Sequence, residues 1–263
     1  MSDLFRNARL KVERAEAHIN QLNRMINEFT ASKNHEVFVE HDSHGGDDVL
    51  KVKAISLLPD EFAMALGDAI HNLRTALDYV MNEIEFLTVG KMTKYTKFPI
   101  YQSPKGLEGV VNGRFKEKAP KQVIDCIVEI VQPYITGDGE ILCGLDDLDI
   151  ADKHQLLIPK TEFNFISGIR FADDGGSECA LDTWLLIPGK IASYQLRGCK
   201  NAKITNQGNA SYKILFEQPS PFALHPFARQ EIIWVMHCLV TLVKSSIREI
   251  ERAYRQSQIY KSI

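Results

Sequence analysis

The spacing of apolar residues near the N-terminus is the feature that most constrains the fold of this chain. Between residues 3 and 29, such residues recur at intervals of three and four: Leu4, Ala8, Val12, Ala15, Ile19, Leu22, Ile26 and Phe29. This spacing predicts one long amphipathic helix with a narrow apolar stripe. The last part of the chain repeats the pattern with Val243, Ile247, Ile250 and Tyr254. Because a narrow stripe needs a second helix to cover it, the two terminal helices are expected to pair.

Further helices are expected between the terminal stripes. Pro59 and the two acids after it open a helix that extends to about Phe86, because proline and acidic residues favour a first helical turn. A loop that contains Pro99 and Pro104 is expected to follow. Residues 119–131 are expected to form the next helix, and another extends from Glu140 to about Leu157. The final helix is expected from about Ala228 to Ser257.

Two segments have the composition of β-structure. The runs EVFVEH and VLKVKAI flank a Gly-Gly pair and predict a β-hairpin over residues 36–55. Four short runs rich in β-branched and aromatic residues predict an antiparallel meander over residues 161–218: FNFISGIRF, DTWLLIP, ASYQLRG and SYKILFEQ. The sequence therefore predicts a single domain, residues 1–263, of the α+β class. It would be a helical bundle of about five helices that carries the hairpin and an inserted antiparallel sheet.

Composition and charge exclude several classes of protein. The formal net charge of the 263-residue chain is −3, so no global basic field recruits nucleic acid. The five cysteines form no C-x-x-C pair, which favours reduced thiols in the cytoplasm over disulfides or zinc. The charged N-terminus differs from a signal peptide. The longest apolar run, residues 232–243, is shorter than the roughly 20 residues of a membrane span. We therefore expect a cytoplasmic protein without membrane contact.

Residues 67–80, GDAIHNLRTALDYV, predict a helix whose polar side is unusual. Solvated helix faces are rich in Lys and Glu, but this one carries His71, Arg74 and Asp78 within an arc of about 60°. An acid near a histidine can fix its tautomer, and an arginine offers a bidentate fork for phosphate or carboxylate. The alternative is a structural polar network with neighbouring helices.

A second polar segment lies within the helix expected to begin at Glu140. At about 100° per residue, Asp149 and Asp152 fall within its apolar stripe. A carboxylate on a buried face is costly unless it is paired, so Asp152 is expected to meet Arg74 or His71 directly. His154 and its neighbour Lys153 project away from the stripe, but distortion of the last turn before Pro159 would let them line the same cleft.

Metal and cofactor sites have little support in the sequence. His41, His44, Asp47 and Asp48 could ligate a divalent cation, but an exposed hairpin tip is the favoured interpretation of this Gly-containing turn. The chain contains no P-loop, H-E-x-x-H or G-x-S-x-G motif. We therefore expect no cofactor and no metal.

Four short segments resemble a widespread group of uncharacterised bacterial proteins. They are GD-x-x-HNLR-x-ALD, FPI, QPY and DKH-x-LL, and together they cover roughly residues 60–160. The R-A-L-D helix is also distantly similar to HEPN domains, whose ribonucleolytic members place a histidine a few residues after the arginine. In this chain Tyr79 stands at that interval after Arg74. The resemblance implies a helical bundle, often dimeric, with His71 or His154 as the remaining candidates for the catalytic histidine.

Two functions of different class follow. The first is a helical binding or scaffold module with a polar pocket around His71, Arg74 and Asp152. The alternative is a HEPN-like, metal-independent ribonuclease or phosphoesterase of a defence or toxin system. In that case His71 or His154 would act as general acid or base, Arg74 would stabilise phosphate charge, and Asp78 or Asp152 would orient the histidine. The expected partners are a second copy of the chain, because long narrow stripes favour self-association, and RNA or a small anionic ligand.

Overall fold

The two terminal helices lie side by side. Helix α1 is Arg6–Ala31 and helix α6 is Ile232–Ile259. Ion pairs join Arg9 to Glu251 at 3.1 Å and Lys244 to Glu16 at 2.7 Å, so the two helices are antiparallel. Both apolar stripes are buried, apart from the half-buried Ile26, and the expected pairing is confirmed. The structure, a computed structural model, describes residues 3–32, 35–54, 58–93, 96–154, 157, 159–181, 191–216, 227 and 230–259.

The helices between them follow the predicted order with one addition. Helix α2 is Asp60–Val89, α4 is Lys121–Cys126 and α5 is Glu140–His154. The expected continuation of α4 is a π-helical turn, Ile127–Val131. The apolar face of α2 is buried as predicted, at Leu66, Ala69, Ile70, Leu73, Ala76, Leu77, Val80 and Ile84. The predicted start of α6 at Ala228 lies outside the described residues.

Helix α3, Pro104–Val110, was predicted as loop. Its first turn is capped by Ser103, whose hydroxyl accepts a hydrogen bond from the backbone N–H of Gly106. Serine at the N-cap followed by proline at the first helical position is a recognised start signal. The loop prediction was wrong because the two prolines nearby were interpreted only as helix breakers. A π-helical turn, Val111–Phe115, continues α3.

The β-strands of the described residues form two three-stranded antiparallel sheets. The hairpin is confirmed, and its second strand pairs with β5 to give the order β1-β2-β5; the other sheet has the order β4-β3-β6. The predicted single meander over 161–218 is therefore wrong in one respect, because β5 joins the hairpin. The strands are β1 His35–Glu40, β2 Val49–Ala54, β3 Pro159–Ala172, β4 Glu178–Leu181, β5 Ala192–Gln195 and β6 Lys203–Phe216. The predicted strand DTWLLIP, residues 182–188, lies outside the described residues.

The chain forms two compact units. The first comprises residues 1–22, 63–158 and 217–263 and contains the helical bundle, and the second comprises residues 23–62 and 159–216 and contains both sheets. The apolar core of the second unit includes Val37, Leu50, Val52, Ile166, Ile169, Phe171, Leu196 and Ala202. The fold is α+β, as predicted. The assignment of all 263 residues to one domain stays a prediction.

Candidate functional site

The unusual polar side of α2 contacts α5 in the helical unit. Three contacts follow one another at intervals of about one helical turn: Gly67 with Asp152, His71 with Asp149, and Arg74 with Asp146. Residue numbers rise along one helix as they fall along the other, so the helices are antiparallel. A Cβ atom on Gly67 would lie 2.5 Å from both carboxylate oxygens of Asp152. Glycine at this position therefore permits the close approach of α5.

Arg74 is the most heavily bonded residue of this contact. Its side chain donates through Nε to Asp146, through Nη1 to Asp78, and through Nη2 to the carbonyl oxygen of Phe98 at 3.2 Å. The residue is only 6% exposed. Burial alone would lower the pKa of Arg74, but the two carboxylates more than offset it and the pKa is raised. The guanidinium is therefore permanently charged and already engaged inside the protein.

Asp78 connects the same arginine to the following segment. Its Oδ1 accepts the Arg74 hydrogen bond and also the backbone N–H of Phe98 at 2.8 Å. Arg74 and Asp78 together thus hold both polar backbone atoms of Phe98, in the FPI segment. This is the structural polar network that the sequence offered as one alternative for α2.

A histidine–carboxylate pair lies one turn away. Asp149 accepts a hydrogen bond from Nδ1 of His71 at 2.9 Å through one oxygen, and its other oxygen accepts from Lys153. Because a carboxylate can only accept, this contact places a proton on Nδ1 and leaves Nε2 as the basic atom of the neutral ring. The Asp149 side chain is 4% exposed, whereas that of His71 is 54% exposed. A buried acid thus orients a solvent-reachable imidazole.

A cavity of about 210 Å³ lies beside the Arg74 network. Its walls come from α2, the FPI segment, the π-helical turn after α3, and α5. Lys97 and Arg114 line it and are exposed, and neither forms an ion pair with any residue in the described part of the chain. The remaining lining residues are Arg74, Asp78, Phe98, Pro99, Ile100, Tyr101, Val110, Phe115, Asp146, Asp149, Ile150 and Lys153.

The structure brings some of the predicted site residues together and separates others. Arg74 and Asp78 line the cavity, and His71 lies next to it through Asp149. The predicted direct contact of Asp152 with Arg74 or His71 was wrong: His71 contacts Asp149, about one turn before Asp152, and Arg74 contacts Asp146, about two turns before it. Burial raises the pKa of the half-buried Asp152. His154 is exposed, and its side chain forms no hydrogen bond or ion pair with any described residue.

Asp146 and Arg114 were missed from the sequence, and Asp149 was placed on the buried face of α5 without its partner His71. Asp146 and Asp149 precede Asp152 by six and three residues, which matches the spacing of the polar side of α2. That match could have indicated a ladder of contacts rather than one pair. Arg114 had no such signal, because it reaches the cavity from a π-helical turn. Lys153 lines the cavity, as the sequence allowed for it.

The weaker metal candidate lies in the unit that contains the sheets. His41 forms an ion pair with Asp48 at 3.0 Å, and the buried Asp48 carboxylate accepts the backbone N–H of Ala202 at 2.7 Å. Asp48 therefore holds the turn before β6 in place. Among the described residues, no group of three or more histidine, cysteine or acidic side chains is arranged to hold a metal ion.

Comparisons with protein-family models, curated proteins and solved structures gave no match. The geometry of the site is thus the basis for the functional proposals below. Within the described helices, none combines the length and apolar character needed to cross a membrane.

Proposed function

We propose that this protein is a binding module whose cavity beside the Arg74 network takes a small anionic ligand. The observation that carries this proposal is the division of charges around the cavity. Its three acids are all engaged by cations of the protein: Asp78 and Asp146 share the single charge of Arg74, and Asp149 pairs with Lys153. Lys97 and Arg114 are left without such a partner among the described residues.

The role of Arg74 in this proposal differs from the contact with phosphate that the sequence predicted for it. A ligand anion competes poorly for a guanidinium that already holds two carboxylates and a carbonyl oxygen. Arg74 therefore acts as a positioning residue that fixes the FPI segment against α5. Contact with the ligand falls to Lys97 and Arg114, whose positive charges attract phosphate or carboxylate. The aromatic and aliphatic walls then accept an apolar body attached to the anion.

Calorimetric titration with inorganic phosphate and with phenyl phosphate tests this proposal. We expect saturable binding that weakens in Arg114→Ala and in Lys97→Ala. Lys105→Ala is the matched control, because Lys105 is exposed on α3 and outside the cavity. A ligand at 100 times its Kd should also stabilise the fold by about 2.7 kcal/mol. Binding that is absent, or equal in all three variants, would refute an anion pocket here.

The His71–Asp149 pair supports the alternative, a metal-independent ribonuclease or phosphoesterase of the HEPN-like kind. An imidazole whose Nδ1 is held by a buried carboxylate presents Nε2 for proton transfer. In this version Asp149 takes the orienting role expected of Asp78 or Asp152, and Arg114 takes the role expected of Arg74. Cleavage of RNA in the presence of a chelator, lost in His71→Asn and kept in His44→Asn, would establish this activity. Loss in His154→Asn instead would move the catalytic role to that residue.

We also propose a homodimer in a reducing cytoplasm. All five cysteines are free thiols, which supports that compartment. Both stripes that suggested self-association are buried within one chain, where ion pairs join α1 to α6, so the proposed dimer uses a different surface of the chain.

A further inference from the structure

An open groove lies between the start of α1 and the second half of α2, away from the anion cavity. Its volume is about 890 Å³. Its lining includes the charged residues Asp3, Arg6 and Glu83 and the apolar residues Phe86, Leu87 and Met92. All of them belong to the helical unit.

The groove exposes several large apolar side chains to solvent. Phe86 is 50% exposed, Leu87 46% and Met92 63%, and they adjoin one another along the groove. Leu10, 43% exposed, lies one helical turn beyond Arg6 on the same side of α1. Contiguous exposed apolar patches of this kind mark interaction surfaces. Aromatic residues, methionine and arginine are also the types enriched in protein interfaces.

The charges of the groove select the occupant. Arg6 forms no ion pair with any described residue, while the carboxylate of Glu83 accepts the backbone N–H of Phe5 at 3.0 Å. A surface that carries both signs of charge can be self-complementary across a two-fold axis. This groove carries both, with Arg6 and Glu83 among its lining residues, whereas Asp3 is already paired with Arg9. A purely anionic or purely cationic partner would meet a like charge.

We propose that a second copy of this chain covers this groove, so that the α1–α2 pairs of two protomers form a four-helix contact. The helices of such a contact pack their apolar rows against each other. Arg6 of one copy then lies near an acid of the other. This inference deepens the homodimer proposed above and rests on it, but it is independent of the anion cavity.

The test is the mass in solution of the whole chain and its variants, measured by light scattering and sedimentation over a wide concentration range. We expect the wild type at about twice 29.8 kDa. Phe86→Glu should return the mass to that of one chain. Phe165→Glu is the matched control, because Phe165 is also 50% exposed but lies on β3. The control should stay dimeric.

Arg6→Glu keeps the proposal testable if Phe86→Glu does not fold. It removes the unpaired positive charge and should weaken the dimer at least tenfold without loss of helical circular dichroism. A wild type that is monomeric at every concentration overturns the dimer itself. A monomer that carries a small amphipathic molecule in native mass spectra overturns it as well. A dimer that survives both Phe86→Glu and Arg6→Glu leaves the dimer standing but overturns this surface. Phosphate binding is measured separately, so neither outcome depends on the anion cavity.

Discussion

Arg74 shows how a residue that looks catalytic in sequence can serve the fold. Its three nitrogens hold Asp78, Asp146 and the Phe98 carbonyl oxygen. Removal of such a side chain leaves two carboxylates without their cation, and breaking a buried ion pair costs about 3–5 kcal/mol. Water reaches Asp78 and Asp146 in part, since they are 23% and 28% exposed. The lower end of that range therefore applies.

We predict that Arg74→Ala lowers the free energy of unfolding by about 3 kcal/mol, a large part of a typical total of roughly 5–15 kcal/mol. Urea unfolding followed by circular dichroism measures this. Lys121→Ala serves as control, because that lysine pairs with Asp125 on the surface of α4 and exposed pairs contribute little. Equal curves for Arg74→Ala and the wild type would leave the network without a structural role.

Removing the charge of Asp152 should raise the stability of the protein, in contrast to removing Arg74. Burial raises the pKa of its carboxyl, although the backbone N–H of Leu157 acts against this. A raised pKa means that the charged form disfavours the folded state at neutral pH. We predict that Asp152→Asn stabilises the protein at pH 7. The gain should shrink as the pH falls through the folded pKa towards the unfolded value of about 3.9. A gain that is constant with pH, or a loss, would contradict this sign.

At the scale of helices, the contact of α2 with α5 depends on Gly67. In a free helix alanine is more favourable than glycine by about 1 kcal/mol. Here the added methyl group would meet the carboxylate of Asp152 at 2.5 Å, and overpacking costs about 1–3 kcal/mol.

We therefore predict that Gly67→Ala lowers stability by about 1 kcal/mol in spite of its helix preference. Gly109→Ala, in α3 with open space around its Cβ position, should instead raise stability slightly. Combining Gly67→Ala with Asp152→Ala should recover most of the loss, because the obstructing carboxylate is gone. Thermal melts of the wild type, Gly67→Ala, Asp152→Ala and the double variant give the coupling between the two sites.

The helices were predictable because apolar periodicity is a local signal. Both terminal stripes and the buried face of α2 follow from residue spacing alone. The partner of each polar residue could not be predicted in the same way, because Asp146, Asp149 and Asp152 share one face of α5. Only the axial position of α5 along α2 decides which acid meets Arg74. The pairing of β5 was not predicted for a similar reason, since β5 pairs with β2 and not with a strand next to it in the sequence.

At the scale of the whole molecule, the helical unit is assembled from three separate parts of the chain. The buried stripe of α1 belongs to a helix that lies beside α6, and the paired residues Arg9 and Glu251 are 242 positions apart. The bundle therefore lacks an essential surface until α6 is present.

We predict that deletion of residues 231–263 leaves α1 without protection in hydrogen exchange and makes the chain bind an apolar dye. Lys244→Ala is the control, because it removes only an exposed ion pair with Glu16 and should leave α1 protected. Full protection of α1 in the shortened chain would show that another element covers the stripe.

The same separation has a consequence in time. Ribosomes add roughly 5–20 residues per second, so the apolar stripe of α1 waits about 10–50 s for its partner while 242 residues follow it. During that interval the nascent chain offers an uncovered amphipathic helix to whatever is nearby. We expect α1 to be where chaperones engage this protein during its synthesis.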